Sequence, residues 1–210
     1  MTAVNYARAE RHALADLLAE VGPQAPTLCA GWTARDLAAH LVVRERRADA
    51  APGILLPVLA GWLDKVQSSI AAQPYPKLVE QVRTPPWWSF SAWEAADRAA
   101  NTVEFFVHHE DVRRAQPGWQ PRQLDAAFEA DLWGRTGGLA KMHLRRLPVT
   151  VTLHAPGFGE LAAGAGGPAA RVTGAPGELV MYLWGRRDAA RVELAGPDGS
   201  PLASLKDLLH

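Results

Sequence analysis

Glu104 and His108 lie four positions apart in a segment whose pattern predicts a helix. Because an α-helix turns by about 100° per residue, two such positions are within about 40° of each other around the axis and share one face. His40 lies among apolar residues in a second predicted helix, so it can approach that face across the interior of a helical bundle. Two imidazole nitrogens and one carboxylate make a three-ligand metal site with a position left for water or substrate. Such an open site is typical of a catalytic metal rather than a structural one.

The same residues have other interpretations. A glutamate and a histidine at this spacing are common in helices that bind no metal, and an isolated histidine is often a hydrogen-bonded core residue. Zinc suits two imidazoles and a carboxylate, and nickel, iron or manganese also bind this donor set. Asp111 follows His108 by three residues and has three candidate roles, which are to orient an imidazole, to contact substrate or to act as a base. His109 and Glu110 point elsewhere on the helix and are poorer ligand candidates.

Composition narrows the class of protein. The chain has 210 residues, and its 22 lysines and arginines equal its 22 aspartates and glutamates. A balanced charge argues against a nucleic-acid binder, which would carry a basic face. No stretch is long and apolar enough to predict a membrane span, and no signal peptide is visible. With Cys29 as the one cysteine, an internal disulfide is excluded and a reducing, cytoplasmic location is expected.

The first two thirds of the chain carries helical patterns. Thr33 is a predicted N-cap, with Asp36 three residues later as the acid of a capping box. The four long helices are predicted at Val4–Val21, Ala34–Ala50, Ala92–Gln116 and Pro121–Arg146. Residues 52–91 form a proline-rich connection in which short helices are predicted at Leu59–Ala72 and Lys77–Arg83.

The pattern changes after Pro148. Strands are predicted at Val149–His154, Ala170–Thr173 and Arg191–Leu194, and helices at Gly177–Arg186 and Ser204–Leu209. We therefore predict a fold of the α+β class with a boundary near Leu147. Residues 1–147 would form a four-helix bundle, and residues 148–210 a small α+β unit.

Three segments resemble one known family. Leu28-Cys-Ala-Gly-Trp-Thr-Ala-Arg-Asp-Leu-Ala-Ala-His-Leu41 resembles the N-terminal signature of the mycothiol-dependent maleylpyruvate isomerases, which belong to the DinB-like metal-binding helical bundles. The segment 102–115 resembles the second signature of that family. Gly177-Glu-Leu-Val-Met-Tyr-Leu-Trp-Gly-Arg186 resembles a helix of its small C-terminal domain, which is related to sterol-carrier folds. The resemblance spans nearly the whole chain and is nearest to an uncharacterised actinobacterial branch.

The resemblance implies a site and an activity. It implies zinc, or nickel or another divalent metal, held by His40, Glu104 and His108. It implies mycothiol as a thiol co-substrate that adds to a small electrophilic substrate, in an isomerase or an S-transferase reaction. Asp111 and Arg186 are the candidate catalytic residues, with Arg187 second to Arg186. The chain would act as a monomer or homodimer, without nucleic-acid or membrane partners. The alternative is a non-catalytic metal- or ligand-binding module of the same fold.

Two further features receive simpler interpretations. The run from Arg44 to Arg47 is interpreted as a solvated helix face, although it would also suit an anionic thiol. Cys29 precedes a helix start, where a thiolate would be stabilised, but we interpret it as a small buried residue.

Overall fold

The computed structural model describes residues 4–47, 60–205 and 207. It combines α-helices with one four-stranded sheet, which confirms the predicted α+β class. The chain divides into two compact units, Met1–Pro121 and Arg122–His210. Among the described residues, no helix has both the length and the apolar character needed to cross a bilayer.

The first unit is helical. Its helices are α1 (Tyr6–Val21), α2 (Ala34–Arg46), α3 (Ala60–Ala71), α4 (Tyr75–Arg83) and α5 (Glu94–Arg113). Helix α1 packs along α5, and α4 packs against both α1 and α2. A short 3-10 helix, Phe90–Ala92, precedes α5. The predicted positions of these helices are confirmed to within a few residues, but the predicted extension of α2 to Ala50 falls partly outside the described residues.

The core of the first unit combines an apolar cluster with buried charge. Leu14, Leu37 and Leu78 belong to the apolar cluster and are fully buried. Helix α5 is unusual because polar side chains make up much of its buried surface. They are Asp97, Asn101, Thr102, His108, His109, Glu110 and Asp111. Buried polar groups are costly unless they are paired, so each of them requires a partner.

The second unit contains α6 (Ala126–Leu144), α7 (Pro176–Leu183) and a sheet. The strands are β1 (Thr150–Ala155), β2 (Gly159–Gly164), β3 (Ala169–Thr173) and β4 (Glu193–Ala195), in the order β2-β1-β3-β4. Strand β1 pairs antiparallel with β2 and parallel with β3, and β3 pairs antiparallel with β4. Strand β2 was not predicted, and the predicted helix Ser204–Leu209 lies partly outside the described residues.

The position of α6 differs from the sequence prediction. A helix was predicted there, but as the fourth member of an N-terminal bundle that ends near Leu147. In the structure α6 packs against α7 and β2, within the second unit. The carboxylate of Glu129 on α6 accepts a hydrogen bond from the backbone N–H of Gly177 at 2.9 Å. A carboxylate at the start of α7 satisfies a free N–H group and favours the helix dipole, so α6 is bound to α7 by polar as well as apolar contacts.

Candidate metal centre

The start of α2 is fixed by a local hydrogen-bond pattern. Thr33 is the N-cap, and its hydroxyl accepts from the backbone N–H of Asp36 at 3.4 Å. The carboxylate of Asp36 accepts in return from the backbone N–H of Thr33 at 2.9 Å. This is the predicted capping box, and it determines where the first turn of α2 begins. His40, two turns further along, is therefore held on a helix that is packed through Leu37 and Leu41.

Three side chains of the first unit, which are the candidate metal ligands, lie close together. The Nε2 atom of His108 lies 3.3 Å from Oε1 of Glu104, and Nε2 of His40 lies 3.8 Å from the same oxygen. One ligand atom from each of the three residues lies within 4.8 Å of the others. The two imidazole rings meet nearly edge to face, with 5.5 Å between their centroids. We call His40, Glu104 and His108 the metal cluster.

Asp111 and Cys29 form a second layer behind His108. The Oδ2 atom of Asp111 lies 3.0 Å from Nδ1 of His108 and accepts a hydrogen bond from the Cys29 thiol at 3.2 Å. The backbone carbonyl of Asp111 also accepts from the N–H of Leu28 at 3.0 Å, which holds the loop before α2 against α5. Cys29 is thus half-buried and hydrogen-bonded, which is more than the packing role predicted for it. Cys29, His108 and Asp111 also lie close enough together to form an alternative ligand group.

Arg44 lies beside the carboxylate of the metal cluster. Its Nε atom is 3.4 Å from Oε1 of Glu104, and its Nη1 donates to Oδ1 of Asn101 at 2.5 Å. The interpretation of the run Arg44–Arg47 as a solvated face is therefore wrong at Arg44. It is also wrong at Glu45, which is 5% exposed and forms a buried ion pair with Arg11.

The electrostatics of the cluster favour an ionised carboxylate. Burial opposes ionisation of Glu104, but hydrogen bonds with His108 and His40 and the charge of Arg44 outweigh it, so the pKa of Glu104 lies well below its usual range. Burial likewise opposes the charged form of His108. Contacts with Asp111, Cys29 and Glu104 outweigh it and hold the pKa of His108 well above its ordinary value.

The chemistry and the spacing of these donors fit a divalent ion. A tetrahedral ion with ligand bonds of about 2.0–2.1 Å separates its donor atoms by roughly 3.3 Å. The two measured separations from Glu104, 3.3 and 3.8 Å, are close to that value. With Nδ1–H of His108 donating to Asp111, release of the Nε2 proton on metal binding leaves a lone pair directed toward Glu104, which is the tautomer that a metal requires. Trp32 packs against His40, with 5.1 Å between ring centroids, and limits its rotation.

The remaining predicted residues are not among the three candidate ligands. Asp111 is fully buried and bonded to His108, so of its three candidate roles the geometry favours orienting the imidazole. His109, the poorer ligand candidate, lies 2.8 Å from Glu10 through its Nδ1 atom. Arg186 belongs to the second unit, where its Nη1 donates to the carbonyl of Trp184 at 3.0 Å. Its catalytic role stays a prediction.

Sequence reasoning missed Arg44, Trp32 and Asn101 as neighbours of the cluster. Arg44 follows His40 by four residues, so the helical spacing that joined Glu104 to His108 also places Arg44 on the His40 face. Asn101 precedes Glu104 by three residues in the same way. Helical spacing was therefore a signal in the sequence that could have identified Arg44 and Asn101 as neighbours of the cluster.

The fold has counterparts among solved structures. The chain is similar to the crystal structure of a mycothiol-dependent maleylpyruvate isomerase, with a TM-score of 0.60 and 14% sequence identity over 93% of this chain and 91% of that chain. It is also similar to a histidine-to-alanine variant of a mycothiol-dependent maleylpyruvate isomerase, with a TM-score of 0.57 and the same identity and coverage. No protein-family model matches the sequence, and no curated protein matches it significantly. At this identity the likeness establishes a common fold.

Proposed function

We propose that this chain is a divalent-metal enzyme that adds a low-molecular-weight thiol to a small electrophilic substrate, as an isomerase or an S-transferase. The observation that carries the proposal is the convergence of His40, Glu104 and His108, with one donor atom from each within 4.8 Å of the others. The common fold with a mycothiol-dependent maleylpyruvate isomerase supports mycothiol as the thiol. Zinc is the proposed metal because two imidazoles and one carboxylate are a usual zinc donor set.

A bound divalent ion would supply Lewis acidity, which lowers the pKa of a coordinated thiol and so provides a nucleophile at neutral pH. The side chains of the chain have distinct parts in this scheme. His40 and His108 bind through neutral nitrogens, and Glu104 supplies a negative charge. Asp111 holds the imidazole of His108 in the binding tautomer through Nδ1. Arg44 fixes the Glu104 carboxylate and offsets part of its charge.

Metal content is the first test. We expect the purified protein to bind one equivalent of zinc, and His40→Ala and His108→Ala each to lose it together with any thiol-dependent activity. His109→Gln is the matched control, because His109 is a neighbouring buried histidine that pairs with Glu10 outside the cluster. Full zinc content in the His40→Ala, His108→Ala double variant would refute the metal centre.

A binding module without turnover is the second candidate function. The observation that favours it is the contact of Arg186, the proposed catalytic arginine, with the carbonyl of Trp184. Incubating the zinc-loaded protein with mycothiol and a panel of electrophiles separates the two functions. An enzyme consumes the thiol or converts the substrate catalytically, whereas a binding module retains the thiol unchanged. Arg186→Lys would then lower turnover only if the guanidinium takes part in the reaction.

A further inference from the structure

A polar cavity in the first unit lies outside the metal cluster. Its volume is about 290 Å³, and α1, α4, α5 and the segment between α4 and α5 contribute to its walls. The charged and polar lining side chains that matter here are Arg8, Arg11, His12, Arg83, Ser91 and Asp97. We call it the arginine cavity. None of the three metal-cluster residues lines it.

The outer wall of the arginine cavity carries basic side chains with free hydrogen-bond donors. Arg8 and His12 are one helical turn apart on α1, and their side chains have no hydrogen-bond or ion-pair partner within the described ranges. Arg83 comes from the last turn of α4. Its Nη2 pairs with Asp16 at 2.6 Å and its Nε lies 3.9 Å from Glu80, so within those ranges its Nη1 donors remain unused.

The inner wall is rigid, and its one guanidinium, that of Arg11, is shared between the carboxylates of Glu45 and Asp97, so this wall carries no net positive charge. The Nη1 atom of Arg11 donates to Oε2 of Glu45 at 2.6 Å, and its Nη2 donates to Oε1 of the same carboxylate and lies 3.3 Å from Oδ1 of Asp97. Asn101 donates to Asp97 at 2.7 Å. These contacts fix the side chain of Arg11, which is 1% exposed. The carboxylates on this wall already accept hydrogen bonds from Arg11 and Asn101, so the attraction for an anion comes from the outer wall.

The accessible charged side chains of the outer wall determine which kind of ligand the cavity can bind. Asp16 and Glu80 oppose Arg83, but their side chains are 71% and 66% exposed, so solvent screens them strongly. Arg8 and Arg83 present planar guanidinium groups from two different helices. Such groups bind carboxylate and phosphate oxygens through paired hydrogen bonds. The Ser91 hydroxyl in the lining already donates to Glu45 at 2.7 Å and accepts from Asn101 at 3.0 Å, so the ligand contacts come from the two arginines.

We propose that the arginine cavity is a binding site for a small anion that carries phosphate or carboxylate oxygens. Arg8 and Arg83 hold the anion, and the fixed guanidinium of Arg11 forms the polar floor beneath it. The site is distinct from the metal centre, because it shares no side chain with His40, Glu104 or His108.

The test is a titration of the full-length protein followed by amide chemical shifts. Inorganic phosphate and malonate are the two probes, with chloride used to keep the ionic strength constant. We expect saturable shifts in the first turns of α1 and in residues 83–92 with at least one probe. The probe that binds more tightly identifies the source of the oxygens, phosphate or carboxylate.

Substitutions then distinguish a site from general attraction. Arg8→Gln and Arg83→Gln should each weaken binding by about tenfold, as expected when one charge-assisted hydrogen bond is lost. Arg146→Gln removes the same charge from an exposed arginine of the second unit and should leave the affinity unchanged. Retained amide spectra show that the variants are folded, and retained zinc content shows that the metal centre is intact. Absence of saturable shifts with both probes, or equal losses in all three variants, would overturn the proposal.

Discussion

Removing the carboxylate of Asp111 should weaken metal binding without removing any metal ligand. Asp111 contacts Nδ1 of His108 at 3.0 Å and accepts from the Cys29 thiol at 3.2 Å. In Asp111→Ala the imidazole loses its fixed tautomer and orientation. The loss of such an outer partner typically lowers metal affinity by about 10–100-fold, or roughly 1.4–2.8 kcal/mol. Asp111→Asn keeps an oxygen that can accept from Nδ1–H, so its loss should lie near the lower limit.

The assay is zinc affinity by competition with a chromophoric chelator, with unfolding measured separately in urea. The unfolding measurement is needed because the substitution also leaves a buried imidazole unpaired, which costs about 1–3 kcal/mol of stability. Glu10→Gln is the matched control. It perturbs another buried carboxylate–histidine pair, in which Glu10 of α1 lies 2.8 Å from His109 of α5, outside the cluster. We expect this variant to lose stability but to change zinc affinity by no more than about twofold.

Two results would refute this reasoning. If Asp111→Ala bound zinc as tightly as the unsubstituted protein, the orientation of His108 through Nδ1 would be irrelevant to the metal. If Glu10→Gln and Asp111→Ala weakened zinc binding equally, the effect would arise from general loss of stability in α5. A selective loss in the Asp111 variants is the outcome that supports a positioning role.

Two stability predictions follow from other contacts. Burial, opposed by the charge of Arg35, raises the pKa of Tyr75 to about 12 in the folded chain, against 10.0 as the ordinary value. The folded state therefore holds its proton more tightly, and the free energy of unfolding should fall by about 2 kcal/mol as pH rises from 10 to 12. In urea titrations, Tyr75→Phe should remove most of that decline. Near neutral pH it should lower the free energy of unfolding by about 1 kcal/mol, because the 2.8 Å hydrogen bond from the Tyr75 hydroxyl to the carbonyl of Leu18 is lost. Thr33→Ala removes the N-cap contact with Asp36 and should lower the free energy of unfolding by about 0.5–2 kcal/mol in the same assay; an unchanged value would contradict the capping role.

Local patterns predicted helices and strands where the side chains carry a strong preference. Strand β1 has alternating β-branched residues and was predicted nearly to its ends. Strand β2 has the sequence Gly-Glu-Leu-Ala-Ala-Gly from Gly159, which lacks such residues, so its pairing with β1 is what makes it a strand. The partner of α6 was also not predictable from periodicity. An apolar face shows that a helix must pack, but it does not show against which element.

Some features of the candidate site could be predicted from the sequence, and others depend on tertiary packing. Helical spacing was enough to place Glu104 beside His108. The apolar helix around His40 made that residue the third candidate, which the family resemblance then supported. The ion pair between Arg44 and Glu104 joins residues 60 positions apart, so sequence neighbours alone cannot reveal it. The hydrogen bond between Cys29 and Asp111 depends likewise on how the loop before α2 lies against α5.

Buried polar residues that need partners are spread along most of helix α5, from Asp97 near its start to Asp111 near its end. Inserting or deleting a single residue within it would rotate everything downstream by about 100°. The pairing of Asn101 with Asp97 and the approach of Glu104 to His40 would then no longer be compatible in one helix. Changes of length during divergence should therefore be confined to the connecting loops, while the α5 segment of any functional relative keeps a constant number of residues.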